Sequence, residues 1–158
     1  MLKVSIMRKF LVVMDDSPEF VNALRFAAIR ASKTGGQVEI LGIIAPEEFQ
    51  HWIGVAEQMR FEAKERIKEH FNIFAEIIEK EEGIIPELVI REGEKVTQVL
   101  EQVKEDPEVG IIVLGAGISS EGPGPLVTQL VARQGGSLPV PVTIVPGSMT
   151  KEAIISVS

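Results

Sequence analysis

The sequence predicts an α/β fold: an open five-stranded parallel sheet with helices on both faces. Short apolar runs alternate with amphipathic segments along the whole chain. Several of those runs are continuously apolar, as strands buried on both faces are. Glycine, proline and aspartate punctuate the junctions. Strands that alternate with helices imply parallel neighbours joined by right-handed crossovers.

The first run, Phe10-Leu11-Val12-Val13-Met14, stops at Asp15-Asp16. Ser17 is placed to cap the helix that follows, with Pro18 at its first position and Glu19 near the positive end of its dipole. Phe20, Leu24, Ala27, Ala28 and Ala31 form one stripe, and Gly35-Gly36 closes the helix. Residues 37–44 give a second strand that stops near Pro46. A long amphipathic helix is expected over 52–82, with Trp52, Ala56, Met59, Ala63, Ile67, Phe71, Phe74 and Ile78 inward and Gly83 at its end. A third strand at 86–90 precedes a third helix at 95–105, whose Val96, Val99, Leu100 and Val103 face the core before Asp106-Pro107. The fourth strand, 110–114, runs into LGAGISSEGPGP and a fourth helix at 126–133. The fifth, 140–145, contains Pro141, which has no N–H for a ladder and so belongs at an edge or a bulge. The expected domain covers 8–146. The tail, 147–158, has a weak apolar pattern of Ala153, Ile154, Ile155 and Val157, suited to packing on a partner or to fraying.

The chain has 158 residues, of which 45% are hydrophobic, enough for one full core. A formal net charge of -7 argues against affinity for nucleic-acid phosphates or anionic lipid, so neither is expected as a partner. With no cysteine and only two histidines, disulfides, thiol chemistry and a zinc site are poor prospects, and a cytoplasmic location is favoured. The opening residues carry no signal-peptide pattern, and no apolar run is long enough to span a membrane.

An open parallel sheet binds ligands at the carboxyl ends of its strands, beside the switch in strand order. Asp15-Asp16 and the glycine loop lie at such ends. Paired aspartates after a first strand resemble the acidic cluster of receiver domains. The places where that family carries its phosphorylated aspartate and its lysine read VIREG and TIVPG here, so that reading fails. HWIG at 51–54 lies after the second strand and lacks the second histidine of a nucleotidyl-transferase box.

The order of motifs as a whole resembles the universal stress protein family. The matching stretches are FLVVMDDSPEFVNALRFAA, the long helix after the second strand, REGEKVTQVLEQV, IIVLGAG and the closing LPVPVTIVP. The resemblance implies a flavodoxin-like (adenine nucleotide alpha hydrolase-like) sheet, a stress-response regulatory role and a homodimer formed through the last strands. An apolar edge strand such as VTIV gives that pairing a physical motive.

The resemblance also implies an adenine-nucleotide pocket for ATP or AMP, with magnesium at Asp15. Its residues here would be Asp15, Asp16, Ile43, Gly115, Gly117, Ser119, Ser120 and Gly124. The family's ATP cradle uses two glycines separated by two residues and, later, Gly-Ser or Gly-Thr at a helix start, where N–H groups meet phosphate. This loop departs from it: Ile118 stands where the second glycine belongs, and Gly124-Pro125 replaces the final pair. The expectation is a variant or degenerate pocket. No nucleophile is paired with a base, so enzymatic activity is not expected, and a slow ATPase would rest on Asp15 alone. The alternative is a ligand-independent dimeric module that acts through an unknown protein partner.

Overall fold

The computed structural model describes residues 8–46 and 53–158. Five parallel strands, β1 (Lys9–Met14), β2 (Gln37–Ile44), β3 (Glu87–Glu92), β4 (Val109–Ala116) and β5 (Val142–Pro146), lie in the order β3-β2-β1-β4-β5. The central strand β1 is apolar at every position from Phe10 to Met14, and all five residues are buried. Val12 sits opposite Ile40 of β2 and Val113 of β4. The order reverses between β1 and β4, so their carboxyl ends flank a crevice.

Two cores follow from the two faces of the sheet. On one, α1 (Glu19–Thr34), α2 (Ile53–Glu82) and the short α4 (Lys151–Val157) cover Val12, Val38 and Ile40. Phe20 of α1 meets Phe74 of α2 edge to face, with ring centroids 5.1 Å apart. On the other, α3 (Lys95–Glu105) and a π-helical turn, Val127–Ala132, bring Val96, Val99, Val103 and Leu130 against Leu11, Leu41, Ile112 and Leu114. Gly35 and Gly83 end α1 and α2 at φ of 72° and 69°. These are left-handed values at which a glycine carries no steric penalty. Gly42 lets α2 approach the sheet, because a Cβ there would stand 2.7 Å from Ile67 Cγ2.

Several local expectations are corrected. Ser17 does not cap α1; its N–H and hydroxyl both turn back to Asp15 Oδ1, an aspartate turn that sets the helix entry instead. Val140 and Pro141 lie outside β5, and the Pro141 carbonyl accepts from Ile112 N at 3.0 Å. The fourth helical segment is widened into a π turn. Met59 points outward at 36% exposure, because the inward stripe of α2 runs instead through Ala63, Ile67, Phe71, Phe74 and Ile78. The chain after β5 folds back on its own domain: Thr150 caps α4, Ile154 is wholly buried, and Arg30 donates to the Ser158 carbonyl at 2.8 Å. The Asn22 amide holds this return, donating to the carbonyls of Pro146, Gly147 and Met149. Trp52 and His51 lie outside the described residues.

The amino ends of the strands are tied by charge. Lys9 Nζ lies within 3.5 Å of Glu39, Glu87, Asp106 and Glu108. Glu39 is 1% exposed and also accepts from Gln102 Nε2 at 2.8 Å. Burial opposes the charge on Lys9, but its hydrogen bonds to Asp106, Glu87 and Glu39 outweigh it and hold the ammonium above the ordinary lysine range. Burial likewise pushes the Glu39 carboxyl up.

Candidate functional site

At the opposite, carboxyl end of the sheet lies a cleft of about 580 Å³. Its floor and one wall are apolar: Val13 and Met14 end β1, Ile43 and Ile44 end β2, and Ala63 and Ile67 come from α2. Its rim is charged, with Asp15, Asp16, Arg66, His70 and Lys95. A smaller lobe of about 170 Å³ opens toward the glycine loop, between Asp15, Glu19, Lys95, Gly115, Gly124 and Pro125. A third recess, of about 250 Å³, lies along the amino end of α3. Lys95 and Leu126 line all three. This is the ordinary composition of a small-molecule site, an apolar slot with a few convergent polar groups.

The structure brings Asp15, Asp16, Ile43, Gly115 and Gly124 to these walls. Asp15 Oδ1 is taken up by Ser17, whose backbone N–H donates at 2.9 Å. Asp16 is 92% exposed, with His70 Nδ1 at 3.5 Å from its carboxylate. Gly117, Ser119 and Ser120 do not line the three spaces; both serines are exposed. Ile118 projects into solvent at 76% exposure.

The loop spends donors on its own shape. Gly117 N–H goes to the Pro123 carbonyl at 3.0 Å and Gly122 N–H to the Ser119 carbonyl at 3.1 Å. Pro123 and Pro125 have no N–H to offer. Gly115 serves close packing, because a Cβ there would stand 2.7 Å from the Glu19 carbonyl carbon. At the neighbouring helix start, Glu94 caps α3 by accepting from Thr97 N at 2.7 Å and Thr97 Oγ1 at 2.8 Å. The Thr97 N–H and hydroxyl hold the Glu94 carboxyl below the ordinary range.

Among the described residues no group of three His, Cys, Asp or Glu side chains gathers to hold a metal ion. The sequence reading missed Arg66, Lys95, Glu19 and His70. Their signal was positional. Arg66 and His70 lie three and seven residues beyond inward Ala63 on the same side of α2, while Lys95 opens the helix after β3 and therefore stands at the same end of the sheet.

The universal stress protein family model matches residues 7–146. The chain belongs to that family. Solved universal stress proteins share its fold. UspA from Lactobacillus plantarum superposes with a TM-score of 0.71 at 16% identity, covering 88% of this chain and 97% of that one. The universal stress protein from Archaeoglobus fulgidus in complex with dAMP gives 0.60 at 21%, covering 89% and 98%. A universal stress protein in complex with cAMP gives 0.54 at 18%, covering 89% and 98%. The shared architecture is the flavodoxin-like, adenine nucleotide alpha hydrolase-like fold. No curated protein matches the chain significantly in sequence. Among the described residues no helix is long and apolar enough to cross a membrane.

Proposed function

We propose that this universal-stress-type protein is a cytoplasmic stress-response regulator whose cleft takes an adenine nucleotide in a variant of the family pocket. The observation that carries the reading is the 580 Å³ cleft over the carboxyl ends of β1 and β2, apolar on its floor and charged at its rim, whose smaller lobe reaches β4 across the switch in strand order. The base would lie on Ile43 and Ile44, against Ile67 of α2, with the ends of β1 and β2 beneath it. The charged rim would face the sugar and phosphate. A magnesium ion carried in by phosphate would meet Asp15 through the carboxylate oxygen that Ser17 leaves free. The reading assigns no bond-breaking step to the chain: its residues bind and orient, and occupancy acts on assembly.

The assembly is a homodimer paired through β5. That strand is an outer edge of the sheet, and Ile144 on it is 38% exposed, a surface that symmetric pairing would cover. The internal hydrogen bonds of the glycine loop favour a second reading, in which the dimer acts without a ligand.

The test is mass spectrometry of small molecules released from denatured, purified protein, followed by calorimetric titration with AMP, cyclic AMP and Mg-ATP. A stoichiometric adenine nucleotide, or micromolar affinity for one, is expected. An empty protein that binds none of them at millimolar concentration overturns the nucleotide reading and leaves the second one. Sedimentation velocity at the titration concentration reads the assembly, and a monomer there removes the β5 dimer.

A further inference from the structure

The charges around the cleft differ between its two lobes, and the difference specifies the ligand more narrowly than the fold does. The glycine-loop lobe is small and acidic. Asp15 and Glu19 both line its 170 Å³, with Lys95 as the facing cation. Glu19 also lies against the loop backbone: a methyl group at Gly117 would stand 3.1 Å from its Oε1. A carboxylate thus stands over the peptide groups that a phosphate chain would need, and the loop's Gly117 N–H is already given to Pro123. The larger lobe shares Asp15 and Lys95 and adds Asp16, but it also gains Arg66 and leaves out Glu19. Arg66 lines it from α2 and Lys95 from the start of α3, and among the described residues neither is in an ion pair.

We infer that the cleft selects an adenosine compound bearing a single phosphate, anchored by Arg66 and Lys95, and that Glu19 turns a polyphosphate chain away from the glycine loop. The inference rests on the nucleotide reading above and deepens it. A monophosphate held by Arg66 and Lys95 gains two cations against Asp15 and Asp16 of the same lobe, the latter 92% exposed, and stays clear of Glu19. A triphosphate directed along the loop would bring three to four negative charges into a lobe that holds two more, without the backbone donors that would offset them. Guanidinium also suits a compact phosphate, which it can grip with two parallel hydrogen bonds.

The test compares affinities for adenosine, AMP and ATP, each without metal and with magnesium, by calorimetry. In the wild type AMP should bind about tenfold more tightly than ATP and more tightly than adenosine. Arg66→Gln should lower AMP affinity about tenfold, toward that of adenosine, while leaving adenosine itself little changed. Glu19→Gln should narrow the AMP-to-ATP preference at least about threefold. Lys104→Gln, on the exposed side of α3 away from the cleft, removes the same formal charge as Arg66→Gln and should leave all three affinities where they were. Adenosine binding combined with an ATP affinity equal to or above that of AMP overturns the inference but spares the nucleotide reading. So does an Arg66→Gln variant that binds AMP as the wild type does. Failure to bind adenosine, AMP and ATP alike overturns both.

Discussion

Replacing Gly115 by alanine should destabilise the protein by about 2 kcal/mol whether or not a ligand is present. The new Cβ would stand 2.7 Å from the Glu19 carbonyl carbon and closer still to its oxygen. Carbon atoms in contact prefer roughly 3.5–4.0 Å, so about 1 Å of overlap must be relieved. The obstruction is backbone in the first turn of α1, held on the other side by buried Phe20 and Ala23. It cannot rotate away as a side chain would. Overpacking costs about 1–3 kcal/mol, and a backbone obstruction lies at the upper end. The lower unfolded-state entropy of alanine returns roughly 0.4–1 kcal/mol. With a urea m-value of ~2 kcal/mol/M, the net shift in midpoint is about 1 M, readable by circular dichroism at fixed protein concentration. Gly136→Ala supplies the comparison, since nothing lies within 4 Å of a Cβ there, and its midpoint should move by less than about 0.5 kcal/mol equivalent. If Gly115→Ala unfolds at the wild-type midpoint, the packing argument for this glycine is wrong. Its role must then be sought in the ligand.

Two further outcomes follow from the packing and capping. Ile154→Ala should cost about 2–4 kcal/mol, because Ile154 is wholly buried beside the α1 face; a thermal or urea midpoint within error of the wild type would show that α4 contributes nothing to stability. Glu94→Ala should cost about 0.5–2 kcal/mol at neutral pH through loss of the α3 cap. Because the folded state holds the Glu94 carboxyl low, its contribution is present above the unfolded-state value and fades as pH falls through the folded one. The wild-type and variant stabilities should therefore converge below about pH 4, and a difference that persists at pH 2 would refute the cap.

The parts of the fold set by periodicity were legible in the sequence. β2 and α3 occupy the expected residues, and the α1 stripe Phe20, Leu24, Ala27, Ala28 and Ala31 is buried throughout. What periodicity could not supply was anything decided by a partner distant in sequence. Glu39 sits within an apolar strand and is buried because Lys9 and Gln102, 30 and 63 residues away, supply its hydrogen bonds. The tail looked weakly patterned because seven helical residues give it little intrinsic stability; Asn22 and Arg30 of α1 hold it in place. At the site, motif reasoning located Asp15 and the glycine loop but not the cations. Arg66 and Lys95 belong to no local signature, and only the packing of α2 and α3 on one sheet end places them around a common space.

The knot around Lys9 lies at the far pole from the cleft, and the two share no residues. Substitutions at the one are therefore energetically independent of substitutions at the other, as distant sites without common partners generally are. Arg66, Glu19 and Lys95 are accordingly open to exchange, and a lineage could move from one small anion to another by altering them while the sheet beneath keeps its full cohesion. A fold divided in this way makes chemical preference the cheapest thing about it to change.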